Sequence, residues 1–337
     1  MPEGLLERAQ REVAAAGSAQ ALLTACRSAH DEVRHLLETR TGAATVAAAW
    51  SALGRSALAS AARTLSPAAA GTWYASGSIG RGDALPGSDL DTLFVRADTA
   101  PPDAGLGHAI EVHDLLAECG FPADAKGATA ARARFNRSAH EWTAGIDTWT
   151  ADASADRGVV MMGLLADAVP VTDGPDLRGR LGVAARRHPG ALAAMLQDAT
   201  HARSQVPSRL RVLTTGESGV DVKYAAVDPV VRIARWAALS CGSTALPTSE
   251  RIRDAAGSRY LDEDDAKALE KCYAIGSSIR WRLRATRWTP HGPVDDRTDL
   301  SELSPQDRTA LRSIGRELNG VRRKLDYLAS TSTFSEW

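Results

Sequence analysis

Two carboxylates, Asp89 and Asp91, stand one residue apart at the entry to the apolar run Leu93-Phe94-Val95. Successive side chains of a strand alternate faces, so this pair points the same way. Like charges side by side oppose folding unless something positive sits between them. Oxygen-only ligands of this kind suit Mg²⁺, with Mn²⁺ as the alternative, and Mg²⁺ is usually held by one or two carboxylates plus substrate phosphates. Upstream lies Gly77-Ser78, in the turn Ser76-Gly77-Ser78-Ile79-Gly80. Glycine lets backbone approach a phosphate closely, and the N–H groups at a following helix start attract its charge. Together the two clusters point to phosphate chemistry with a divalent cation.

The elements that must position these groups follow from the flanking pattern. The apolar Trp73-Tyr74-Ala75 leads into the glycine turn, and a Gly- and Pro-containing loop delivers Ser88-Asp89-Leu90-Asp91 onto the second run. Residues 1 to about 66 read as helices. Leu22, Cys26, Val33 and Leu37 share one face, as do Val46, Trp50, Leu53, Ala57 and Leu65, with Thr41-Gly42 between them and Ser66-Pro67 as the stop. His30 and His35 are five apart, share no face well, and read as surface or boundary residues. A helix carrying Ala109, Val112 and Leu116 ends at Gly120. The basic run Arg132, Arg134, Arg137 is either a solvated helix face or a contact for a triphosphate or a protein target. Trp142 and Trp149, a heptad apart, predict an amphipathic helix with both rings inward. The continuous apolar run Val159 to Leu165 reads as a buried strand leading to Asp167.

From about residue 178 the pattern is helical again. Asp228-Pro229 predicts a helix start with Asp as N-cap, and Cys241-Gly242 a stop. Asp262 opens another helix, whose second face, with Arg280, Arg282, Arg284 and Arg287, reads as solvated. Ser304-Pro305 opens the last one, with a seam through Leu311, Ile314, Leu318, Val321, Leu325 and Leu328.

Gly77-Ser78-x-Gly80-Arg81-Gly82 followed by Ser88-Asp89-x-Asp91 resembles the signature of the nucleotidyltransferase superfamily, whose fold is shared with DNA polymerase β. The longer form is similar to the bacterial branch around the protein-PII uridylyltransferases and to a related group of nucleotidyltransferases. The likeness continues through Val220-Asp221-Val222-Lys223, Asp228-Pro229-Val230, Arg232, Arg235 and Thr248-x-Glu250-Arg251-Ile252, which resemble that group's helical substrate-binding domain, and it covers roughly residues 70 to 330. The resemblance implies an α+β fold: a small mixed-sheet catalytic core (67–178) between an N-terminal helical segment (1–66) and a C-terminal helical bundle (179–337). It implies metal binding and catalysis by Asp89, Asp91 and a third carboxylate. That third group is Asp167, with Asp173 as the fallback, because Val169 stands where the group has arginine. Gly77, Ser78, Arg81, Ser88 and Lys223 would meet the nucleotide. The implied reaction moves a nucleoside monophosphate from a nucleoside triphosphate to an acceptor hydroxyl, in a uridylyltransferase-like way on a protein. The rivals are an antibiotic-type transferase acting on a small molecule and a nucleotide-binding regulatory module without turnover.

Composition bounds the partners. Across 337 residues, 40 basic side chains meet 41 acidic ones, for a net charge of −1. Non-specific nucleic-acid binders depend on a basic surplus, so stable binding to DNA or tRNA is not expected. Four scattered cysteines show no metal-like pairing and fit reduced thiols. No apolar stretch approaches the ~20 residues of a membrane span, and the N-terminus is too polar for a signal peptide. A cytoplasmic protein is the expectation.

Overall fold

The helical stripes of the first 65 residues form three helices: α1 (Glu3–Ala15), α2 (Ala19–Glu38) and α3 (Ala43–Leu65). The computed structural model describes residues 3–38, 41–65, 71–98, 101–124, 126–202, 204–208, 214–288 and 294–331. The stop at Ser66-Pro67 lies outside them. The expected strand–turn–strand follows as β1 (Gly71–Ser76), the short helix α4 (Gly77–Arg81) and β2 (Asp91–Arg96). Then come α5 (Pro102–Glu118), β3 (Asn136–Ser138), α6 (Ala139–Ala151), α7 (Gly158–Ala166), β4 (Val169–Pro170) and α8 (Leu177–Arg187). The sheet order is β3-β2-β1-β4, with β1 antiparallel to both β2 and β4 and β2 parallel to β3. It is a small mixed sheet with helices before and after it, an α+β architecture.

Chain contacts divide the molecule into two compact units. The first comprises residues 1–148, 164–181 and 288–294; the second comprises 149–163, 182–287 and 295–337. In the first, one core is shared by helices and sheet. Leu22, Trp50, Leu53 and Leu58 pack with Trp73 and Phe94 of the strands and Val112 and Leu116 of α5, all at most 2% exposed. Each such side chain contributes about 1.5–3 kcal/mol by leaving water. The N-terminal helices thus cover the sheet that carries Asp91.

The second unit holds α9 (Pro189–His201), the hairpin β5 (Gly219–Asp221) and β6 (Arg297–Asp299), and α10 (Asp228–Cys241). It also holds α11 (Thr248–Ala255), α12 (Glu263–Arg287) and α13 (Pro305–Thr331). The seam of α13 is buried at Leu311, Ile314, Leu318, Val321 and Leu325, and α13 packs on α9 and α12. Gly242, at φ 80°, ends α10 in the left-handed conformation that glycine adopts without strain. Asp262 Oδ1 accepts the Asp265 N–H at 2.8 Å and caps α12, while Ser304 Oγ accepts the Asp307 N–H at 3.0 Å and caps α13.

Several expectations are corrected. The run Val159 to Leu165 is helical, within α7. Met161, Met162 and Leu165 are buried at one-turn spacing while Val160 is 57% exposed. A short run apolar on every side carries no periodicity to tell strand from helix, and the strand beside β1 is Val169–Pro170 instead. His30 is not a boundary residue. It is 3% exposed, stacks 5.7 Å from Trp288 and lies edge-on to Trp50, with Nε2 3.1 Å from the Cys119 carbonyl. Asp228 is not an N-cap. A π-helical turn, Lys223–Val227, runs directly into α10, and Asp228 Oδ2 instead accepts from Arg232 Nε at 2.8 Å. Two of the four arginines on α12 are not solvated. Arg280 and Arg284 are about 5% exposed and flank Asp296, whose oxygens lie 2.9 Å and 2.7 Å from their Nε atoms. Burial penalises the Arg280 charge most and lowers its pKa. The neutralising carboxylate is on a later segment that helix periodicity alone does not reveal.

Candidate active site

Strand register explains why the two clusters meet. Ser76, the last residue of β1, pairs with Asp91, the first of β2. The glycine turn that leaves β1 therefore starts beside the Asp91 carboxylate. Gly77 has φ 58°, and a Cβ built on it would stand 2.2 Å from Asp91 Oδ2. Only glycine fits, for the backbone angle and for the space. On the other side, Asp91 Oδ1 accepts the Ala128 N–H at 3.3 Å, and a Cβ on Gly127 would lie 3.3 Å from that oxygen. Asp91 is thus held between two glycine-containing segments. Asp89 precedes β2 rather than lying in it, but the alternation holds: Asp89 is exposed, Leu90 is fully buried, and Asp91 is partly exposed. The two carboxylates thus flank a fully buried Leu90 at the entry to β2.

Replacing Gly77 by alanine should therefore act twice. The left-handed conformation costs a residue with a Cβ roughly 1–2 kcal/mol, and the new methyl displaces the Asp91 carboxylate. A thermal melt should show that loss, and an unchanged melting temperature would mean that the turn is not held as described.

The first unit supports the turn from behind. Arg55 Nη1 of α3 donates to the Ile79 carbonyl at 2.8 Å, and Ser51 Oγ accepts the Ala84 N–H at 3.0 Å. Gly54 lies under the Ile79 and Phe121 side chains. Gly80 lets α4 lie against the backbone oxygens of Asp167 and Ala75, since a Cβ there would be 2.2 Å and 2.9 Å from them. Because α4 has only five residues, its dipole is small, and the turn's own N–H groups are what remain for a phosphate. The Ser78 hydroxyl, half-buried, makes no hydrogen bond among the described residues. Ser88 is buried, and its N–H donates to the Leu85 carbonyl at 3.0 Å.

Arg81 and Asp167 are brought together, but with each other. Arg81 Nη1 lies 2.5 Å from Asp167 Oδ2 and its Nε 3.0 Å from Asp83 Oδ2, with Arg81 8% and Asp167 1% exposed. Asp167 sits in the turn between α7 and β4. No group of three or more His, Cys, Asp or Glu side chains among the described residues is placed to hold a metal ion. Asp173 is exposed, and its carbonyl accepts from Thr72 Oγ1 at 2.8 Å. Lys223 belongs to the second unit, where its ammonium lies 5.7 Å over the Tyr224 ring. It is not among the residues that the first unit gathers.

Two basic residues, one of them in the run already read as a possible triphosphate contact, belong to the segment beside Asp91. Lys126 is exposed beside Gly127, and its ammonium has no hydrogen bond or ion pair among the described residues. Arg132 Nη1 donates to the Gly127 carbonyl at 3.0 Å and braces the segment against Asp91. The run Arg132–Arg137 is a 3₁₀ turn leading into β3, not a helix, and Arg137 lies 5.6 Å over the Trp142 ring. The signal for this segment was Lys126-Gly127 itself, whose position beside β2 only the sheet reveals.

Next to Asp91, the Thr92 hydroxyl lies 2.8 Å from His113 Nε2 and accepts the Ala130 N–H at 2.9 Å. Burial pushes the His113 pKa down to about 4, with Asp114 opposing weakly. The folded protein therefore keeps this imidazole neutral. Between pH ~6.5 and ~4 the unfolded chain takes up a proton that the folded one does not, so stability falls as pH falls through that window, by up to about 3 kcal/mol. Urea melts should show a shallower acid loss for His113→Gln than for the wild type. Equal slopes would remove His113 as a cause.

Comparison with protein families gives two matches. Residues 8–156 match the model described as "Putative nucleotidyltransferase DUF294", and residues 189–328 match "Putative nucleotidyltransferase substrate binding domain". No curated protein matches the chain. No helix among the described residues is long and apolar enough to cross a membrane.

Proposed function

We propose that this chain, which belongs to the nucleotidyltransferase family described by those two models, moves a nucleoside monophosphate from a nucleoside triphosphate to an acceptor hydroxyl. One observation carries the reading: the Ser76–Asp91 register, which sets the Gly77-Ser78 turn against Asp91 with no room for a side chain between them. In the proposed reaction the acceptor oxygen attacks the α-phosphorus and its proton is lost to water. The bond from the α-phosphorus to the bridging oxygen breaks, and pyrophosphate leaves with that electron pair.

The donor set fits Mg²⁺. Asp89 and Asp91 offer only oxygen, and Asp89 is exposed. With no group of three carboxylates placed to hold a metal ion among the described residues, most positions around such an ion would fall to phosphates and water, as Mg²⁺ prefers. Bound there, the ion would supply neutralisation of phosphate charge and activation of the acceptor oxygen. The N–H groups of the Gly77-Ser78 turn and the Ser78 hydroxyl would orient the terminal phosphates, and Lys126 would add charge from the facing segment. Asp167 takes a positioning role in this reading. Its contact with Arg81 fixes α4, and through α4 the turn.

The outward-facing Asp89 supports a protein as acceptor, in the manner of the protein-PII uridylyltransferases, because a large acceptor needs an open approach. The test is transfer of label from each α-labelled nucleoside triphosphate in a lysate of the source cells. Label in a protein band, dependent on Mg²⁺, is expected with one or two of the bases. Label only in small molecules would point to the antibiotic-type rival, and none with any base would overturn transfer.

A further inference from the structure

A cavity of about 440 Å³ lies in the second unit, between α13 and the segment 204–208. Its size falls in the range of small-molecule sites, roughly 300–1,000 Å³. Besides Gly315, four polar residues of α13, Thr309, Arg312, Arg316 and Asn319, line it at spacings of three and four, and so form one face of the helix. Ser204 and Ser208 line the opposite side. Gly315 lets the two walls approach, because a Cβ there would stand 3.3 Å from Ser204 Oγ.

The polar groups are unevenly spent. Ser204 Oγ donates to the Ala225 carbonyl at 2.5 Å, and Thr309 Oγ1 to the Pro305 carbonyl at 2.9 Å. Neither hydroxyl proton remains for a ligand. Arg312 and Arg316 make no hydrogen bond or ion pair among the described residues, and Arg312 Nε is shielded from water with no acceptor. No carboxylate lines the cavity among those residues. Two like charges one helical turn apart repel, and a shielded guanidinium nitrogen without a partner carries a desolvation cost. An anion in the cavity would relieve both. Guanidinium forks match the oxygens of a phosphoryl group, and two adjacent forks match a dianion better than a single carboxylate.

We propose that this cavity binds the phosphate group of a small phosphorylated metabolite, with Arg312 and Arg316 as anion ligands and Asn319 donating from its amide. The site lies in the second unit and stands apart from the transfer reading, so either can fail alone. The test is calorimetric titration of the full chain with inorganic phosphate, adenosine 5′-monophosphate and, as the uncharged control, adenosine. A chelator is kept present so that metal-dependent binding elsewhere does not contribute. Phosphate and the monophosphate should bind, adenosine should not, and raised salt should weaken both. Arg316→Gln should weaken binding at least about tenfold, the scale of one charge-assisted hydrogen bond, and Arg312→Gln at least as much. Arg316 is exposed and loses no intramolecular partner, so its variant keeps the fold. Absence of binding by either anion, or equal binding by wild type and Arg316→Gln, would overturn the site. Tighter binding of a phosphoserine peptide than of the monophosphate would also overturn it, in favour of a protein ligand.

Discussion

Replacing Asp91 by asparagine should abolish nucleotide transfer while leaving the protein folded. The asparagine oxygen can still accept the Ala128 N–H, and the side chain keeps its volume between Gly77 and Gly127. What is lost is one of the two charges that a divalent cation would need, together with the repulsion between them. Activity should fall by about 10²- to 10³-fold or more, the lower figures being usual for removal of one group that stabilises transition-state charge. Asp89→Asn should behave likewise. The measurement pairs Mg²⁺-dependent triphosphate turnover with a thermal melt of the same preparation. A folded Asp91→Asn protein with wild-type turnover would remove Asp91 from the chemistry.

Asp167→Ala should have the opposite profile, with its primary effect on stability. Breaking a buried ion pair by deleting one partner costs about 3–5 kcal/mol, because the other charge stays buried. Asp83 remains as a partner of Arg81, which puts the expectation near the lower end. Transfer should fall too, as α4 shifts. Replacing both partners, as in Arg81→Met with Asp167→Leu, should recover much of the stability, since apolar side chains of similar volume can replace a buried pair at little cost. A double-mutant cycle in urea measures the coupling. A coupling energy near zero would mean that the contact does not hold the turn in place.

These two expectations divide the residues that the sequence grouped together. Asp89 and Asp91 were legible because they sit on one chain segment, where strand alternation is a local rule. The Gly77-Ser78 turn was legible for the same reason. Asp167 was legible as a carboxylate at the end of an apolar run, but its partner Arg81 lies 86 positions away. Nothing local distinguishes a carboxylate that faces a metal from one that faces a guanidinium. The same limit hid Asp296 between Arg280 and Arg284, and it let the α12 arginines read as a solvated face. Amphipathic helices such as α3 and α13 were plain because their stripe repeats over many turns. The run in α7 failed because it is apolar on all sides and the helix is only nine residues long. The basic run from Arg132 was legible as a possible triphosphate contact, but the place of Lys126 and Arg132 beside Asp91 comes from tertiary packing alone.

The central claim is that the Gly77-Ser78 turn and the two aspartates form one site for a triphosphate with its divalent cation. Titration with a non-hydrolysable nucleoside triphosphate, with and without Mg²⁺, tests it without knowledge of the acceptor. The account predicts a single Mg²⁺-dependent binding event, lost in Asp91→Asn and in Gly77→Ala. Binding that ignores Mg²⁺ and survives both substitutions would contradict it.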